Sequence, residues 1–112
     1  MSGRERRLAA RYVIGGLMVD VNGVPHETLD ISNSAVAIIR QSGVNYAKIE
    51  SLARFFSEKH NPLNQPIKSM HFMMQRASIV VFGYEVDVPS WENVLREHDV
   101  RADMKQLEDV FG

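Results

Sequence analysis

The stretch "VIGGLMVDV", residues 13–21, followed by "NG" at 22–23 and "VPHETLDI" at 24–31, decides the fold. Asn-Gly accepts positive φ at both central positions of a two-residue turn, so it marks a tight β-hairpin. The arms on either side are rich in Val, Leu and Ile and alternate loosely with polar residues. Gly15 and Gly16 read as a bend or bulge in the first arm. Pro25 has no amide donor, so the second arm should lie at an edge or pair only beyond that residue. "AVAIIR", 35–40, is a β-branched run and a third strand candidate.

Working outward, "IKSMHFMM" (67–74) and "SIVVFGYEVDV" (78–88) read as a further strand pair around "QRA". Between the two pairs the pattern is ambiguous. In "AKIESLARFFSEKH", 47–60, Ile49, Leu52, Ala53 and Phe56 fall at helical spacing, while Ile49, Ser51, Ala53 and Phe55 alternate like a strand. The local pattern favours helix. "NPLNQP", 61–66, reads as a loop. "PSWENVLREHDV" offers Ser90 as a helix N-cap, with Asn93 where a full capping box has Glu or Gln. Trp91, Val94 and Leu95 share the apolar face of that helix. A second helical piece, "ADMKQLEDVF", carries Met104, Leu107, Val110 and Phe111. The sum is a mainly β, antiparallel barrel or sandwich with a C-terminal helix packed on it.

The chain of 112 residues is one domain in length, with formal net charge −1 and no cysteine. That composition excludes thiolate metal sites and cysteine nucleophiles. It also disfavours a nucleic-acid-binding barrel. No apolar run is long enough to span a membrane and the N-terminus lacks a signal-peptide pattern, so the reading is a cytoplasmic protein. His26, His60, His71 and His98 are scattered without ligand spacing, and read as surface or half-buried side chains. No serine lies in a nucleophile elbow, and no glycine run makes a phosphate loop. No enzyme is expected and no cofactor. Met70, Met73 and Met74 read as core filler rather than a partner groove.

The charge is uneven. Residues 1–12 hold four arginines against one glutamate, whereas Glu85, Asp87, Glu92, Glu97, Asp99, Asp103, Glu108 and Asp109 crowd the other end. The basic head suggests an anionic partner. Arg7 and Arg11 present two guanidinium forks, which suit phosphate oxygens and the O6 and N7 edge of guanine. Asp30 and Ser32, two apart near a strand end, should point to one face. There a carboxylate can accept from guanine N1–H and N2–H₂, and a hydroxyl can add one bond.

These residues carry a family pattern. The chain resembles a PilZ domain, the small bacterial receptor module for cyclic di-GMP. Its R-x-x-x-R motif corresponds to "RLAAR", Arg7 to Arg11, and its [D/N]-x-S-x-x-G motif to "DISNSA", Asp30 to Ala35. "VVFGYEVDVPSWENVLREH" looks like the family's last barrel strand entering its C-terminal helix. The resemblance implies a six-stranded antiparallel β-barrel spanning 13–112, a flexible arginine-rich arm over 1–12, and strand rather than helix near 49–57. It implies Arg7 and Arg11 as a clamp on the ligand, Arg6 as an adjacent contact, and Asp30 and Ser32 as guanine partners. The ligand-bound domain would then signal to a partner protein. Ala35 stands where the pattern has glycine. Either that position needs left-handed backbone, at a cost of roughly 1–2 kcal/mol for alanine, or the methyl crowds the ligand. Ala35 therefore also motivates a second expectation: a scaffold that has lost the ligand and acts through protein contacts in motility or surface regulation.

Overall fold

A computed structural model of the chain describes residues 10–58 and 62–100. Arg4, Arg6, Arg7, His60 and the second helical piece lie outside these residues. The architecture is one antiparallel sheet of seven strands and one helix. In chain order these are β1 (Met18–Val21), β2 (Val24–Ile31), β3 (Ala35–Ile39), β4 (Arg54–Ser57), β5 (Leu63–Pro66), β6 (Ser69–Arg76), β7 (Ile79–Glu85) and α1 (Trp91–His98). The spatial order is β5-β4-β1-β2-β3-β7-β6.

The hairpin forms as read. Asn22 and Gly23 have φ of 51° and 81°, and Val21 faces Val24 across the turn. Antiparallel pairs alternate between hydrogen-bonded and non-bonded. The pair next to the turn is bonded, so Pro25, opposite Asp20, falls in a non-bonded pair and its donorless nitrogen faces β3. The β2–β3 ladder begins only at Thr28. Pro25 is thus tolerated in an interior strand because its missing donor faces an unpaired stretch.

Two segments depart from the sequence reading. Residues 54–57 are strand β4, not helix, as the resemblance implied. Ala53, Phe55 and Ser57 are buried alternately, while Leu52 is 91% exposed. The helical stripe fails because it would have buried Leu52 with Phe56. "NPLNQP" is not simply a loop either, since Leu63–Pro66 pairs with β4. Pro66 is acceptable there because β5 is an edge strand.

The sheet is strongly curled. Pro66 ends one edge strand and Ser69 begins the other, and three residues of chain reach at most about 11 Å. In a flat sheet of this order the edges would stand about 29 Å apart. The linking residues extend both ladders, with Ile67 N–H donating to the Ala53 carbonyl and Lys68 N–H to that of Glu85. Among the described residues no ladder joins β5 to β6. The closed six-stranded barrel is therefore replaced by seven strands curled short of closure.

The concave face holds the core: Val19, Val21, Ile31, Val36, Ile38, Phe55, Val80 and Phe82, each at most 1% exposed. Helix α1 covers one end of it. Trp91 stacks on Phe55 with ring centres 5.7 Å apart, and Leu95 is fully buried. Trp91 is thus the anchor expected of it. The methionines are not: Met73 and Met74 are 55% and 44% exposed, on the edge strand β6. Only Met70 of the three packs against the core. His26 also departs from the surface reading. It is fully buried, with Nδ1 2.7 Å from the Val24 carbonyl and Nε2 2.7 Å from the Tyr46 hydroxyl. No helix among the described residues is long and apolar enough to cross a membrane.

Candidate functional site

A β-bulge decides which way Asp30 points. Val24, His26 and Thr28 face the core side of β2, and simple alternation would send residue 30 inward. The register shifts between Thr28 and Asp30, so that Ile31 pairs with Val36 in the core and Asp30 with Ala37 on the convex face. One extra residue in a strand exchanges its faces. Here it places a carboxylate outside and an isoleucine inside.

Arg11 meets that carboxylate. Its Nη1 lies 3.2 and 3.3 Å from the two Asp30 oxygens, across 19 residues of chain. The approach is set by Tyr12. Its N–H donates to the Ile31 carbonyl at 2.8 Å, and it accepts from the Ile31 N–H at 2.9 Å. Tyr12 is itself buried, so the chain is held from that residue on. The Arg11 side chain is 69% exposed and that of Asp30 32%. An ion pair so open contributes at most about 1 kcal/mol to stability.

Ser32 behaves differently from Asp30. It is 7% exposed, and the chain turns there instead of continuing the strand. Its hydroxyl accepts from the Ala35 N–H at 3.1 Å, and its own N–H donates to the Ala35 carbonyl at 2.8 Å. Asp30 and Ser32 line one groove, as expected, but with different duties. Asp30 is presented outward and Ser32 closes the turn beside it. Ala35 opens β3 and is not among the residues with positive φ. Glycine is not needed there for conformation, so the left-handed cost does not arise. What remains is the methyl group. It lines a shallow groove with Arg11, Asp30, Ser32, Ala37 and Val81.

The turn and the N-terminal segment are both tied to α1. The Tyr84 hydroxyl donates to the Ser32 carbonyl at 2.5 Å and accepts from Trp91 Nε1–H at 2.6 Å. Burial pushes the Tyr84 phenol above the ordinary tyrosine value. Tyr12 donates its hydroxyl proton to Glu92 at 2.9 Å. Burial, and then this bond to a carboxylate, push the Tyr12 phenol upward as well. Val13 N–H donates to Asp99, and Val100 N–H donates back to the Val13 carbonyl. Sequence reasoning missed Tyr84 and Tyr12, since no local motif marks a hydroxyl whose partners lie 52 and 80 residues away.

A larger cleft, about 480 Å³, opens between the turn at Asn33–Ser34 and the start of α1. Its charged lining among the described residues is Glu85 and Glu92, with no lysine or arginine. It is therefore unsuited to an anion, and the groove at Arg11 is the better candidate despite its small volume. Among the described residues no three metal-ligating side chains cluster.

No family model matches the chain and no curated protein matches it. A solved structure of similar course is that of the uncharacterized Legionella protein Lpg0364. It is 13% identical, with 89% of this chain and 95% of that one covered and a TM-score of 0.49. At that identity and score the likeness says nothing of function.

Proposed function

We propose that this protein is a PilZ-like receptor that binds cyclic di-GMP and signals to a partner protein in the cytoplasm, a binding module rather than an enzyme. The observation that carries the reading is the Arg11–Asp30 pair: two residues from separate motifs meet on the convex face beside the Ser32 turn. A fork of donors and a carboxylate side by side match the phosphate and base edge of a guanine nucleotide. On binding, Arg11 turns to the phosphate or the guanine O6 and N7, Asp30 accepts from N1–H and N2–H₂, and Ser32 holds the turn. Arg7, with Arg6 adjacent, supplies the second fork of the clamp. On this reading the curled sheet is a relative of the six-stranded PilZ barrel with its last seam unjoined.

A second reading has an observation of its own. The Ser32 hydroxyl is engaged by the turn and Asp30 by Arg11, so both groups are satisfied without ligand. Such a site suits a scaffold that has lost its nucleotide and works through protein contacts. Calorimetric titration separates the two. The receptor reading expects micromolar or tighter binding, abolished by Arg7→Ala or Arg11→Ala; the second expects no heat from the folded parent and binding created by Ala35→Gly.

A further inference from the structure

The convex face continues past Ala35 in one register row: Ala35 faces Gly83 on β7, and Gly83 faces His71 on β6. Gly83 has no side chain, and the His71 imidazole lies over it. A Cβ built on Gly83 would overlap ring atoms Cε1 and Nε2. The ring therefore leans from the edge strand inward across β7, to within one strand spacing, about 5 Å, of Ala35. A β6 bulge between Phe72 and Met74 keeps this arrangement. Phe72 sets its ring edge-on against Phe82 while staying part-exposed at the sheet edge, and His71 and Met74 stand on the convex side. Covering a glycine with a ring is a stabilising device in sheets. Here the ring is also exposed, and stands on the face that carries Arg11 and Asp30.

We propose that His71 is a further ligand contact of the same groove, a stacking wall for the second ring of a dinucleotide whose first guanine sits on Arg11 and Asp30. The inference rests on the receptor reading and sharpens it. Asp30 faces Ala37 on β3 and Ala35 faces Gly83 on β7, so the imidazole stands two strand spacings, about 10 Å, from the Asp30 position. A ligand with two bases extends that far across the face and meets it. His71 thus makes the groove selective for a cyclic dinucleotide over a single guanine nucleotide.

The test compares cyclic di-GMP and GMP on the full chain carrying His71→Ala, His71→Phe or Gly83→Ala. His71→Ala uncovers Gly83 and should lower the thermal midpoint slightly, so GMP affinity in the same variant serves as the check that the Arg11–Asp30 end of the groove is intact. His71→Ala should weaken cyclic di-GMP about tenfold, the scale of one lost base stack, and leave GMP unchanged. His71→Phe should restore binding, and Gly83→Ala, which displaces the ring, should weaken it. Cyclic di-GMP affinity within twofold of the parent in His71→Ala overturns this inference and leaves the receptor reading standing. A folded parent that binds no cyclic di-GMP overturns both.

Discussion

Replacing Tyr84 by phenylalanine removes one oxygen atom from the junction of the turn, β7 and α1. Tyr84 is 3% exposed, and its hydroxyl serves the Ser32 carbonyl and the Trp91 indole N–H at 2.5 and 2.6 Å. In Tyr84→Phe both partners stay buried and lose that bond. Each buried group left without its partner costs about 1–3 kcal/mol, and the cleft that Tyr84 and Trp91 line lets water offset part of the sum. The variant should therefore lose about 2–4 kcal/mol, a large share of the 5–15 kcal/mol typical of a domain. Urea unfolding followed by the fluorescence of Trp91, the chain's single tryptophan, measures it directly. The midpoint should fall with the slope unchanged, because the surface exposed on unfolding is nearly the same. Because Trp91 is itself the reporter, its emission should also change in the folded variant. A loss below about 0.5 kcal/mol, the scale of an ordinary surface substitution, would refute the claim that this hydroxyl joins turn and helix.

Four further outcomes are expected. Asp30→Asn should change stability by less than about 1 kcal/mol, since the pair with Arg11 is exposed, yet weaken cyclic di-GMP at least tenfold; a stability loss without a binding loss would reverse the assignment. Ala77 has φ of 52° in the two-residue β6–β7 turn, so Ala77→Gly should raise stability by about 0.5–1 kcal/mol in the same urea assay. Gly23→Ala should lower it by about 1 kcal/mol. The added methyl meets open space, so the cost is backbone strain alone. Finally, the Tyr84 and Tyr12 phenols are raised above 10.0 in the folded chain. Below pH 10 both phenols keep their protons whether the chain is folded or not, and the stability is full. As pH rises past 10 the unfolded chain ionises first, so stability should fall, and Tyr84→Phe should flatten the decline; an unchanged urea midpoint from pH 9 to 11 would contradict the assigned burial.

How far the sequence could be read follows from where each signal resides. The Asn22–Gly23 hairpin was legible because its cause is local: two residues that tolerate positive φ between apolar arms. The β7–α1 junction was legible because Trp91, Val94 and Leu95 mark a face. Strand β4 was not, because Ile49, Leu52, Ala53 and Phe56 fit a helix as well as a strand. Only the partners of Phe55 in β1 and β5 choose between the two. Strand β5 was hidden by Pro66 at its end and Pro62 just before it, which read as a loop but are tolerated at a sheet edge.

At the site, the union of Arg11 with Asp30 was legible from two motifs in order. The bulge that turns Asp30 outward was not, because nothing in "ETLDI" announces a lost register. Of the two readings left open for Ala35, the backbone one falls away: the strand begins there without positive φ, so only its methyl can matter. His71 and Gly83 were beyond reach, since their relation exists only once β6 lies beside β7.

The central claim is tested most directly by titrating cyclic di-GMP into the full folded chain in a calorimeter. The account predicts saturable heat with a Kd in the micromolar range or tighter, lost in Arg11→Ala. Absence of heat at roughly 100 μM ligand, with folding verified on the same sample, would contradict it, because even a weak site of this kind binds measurably at that concentration.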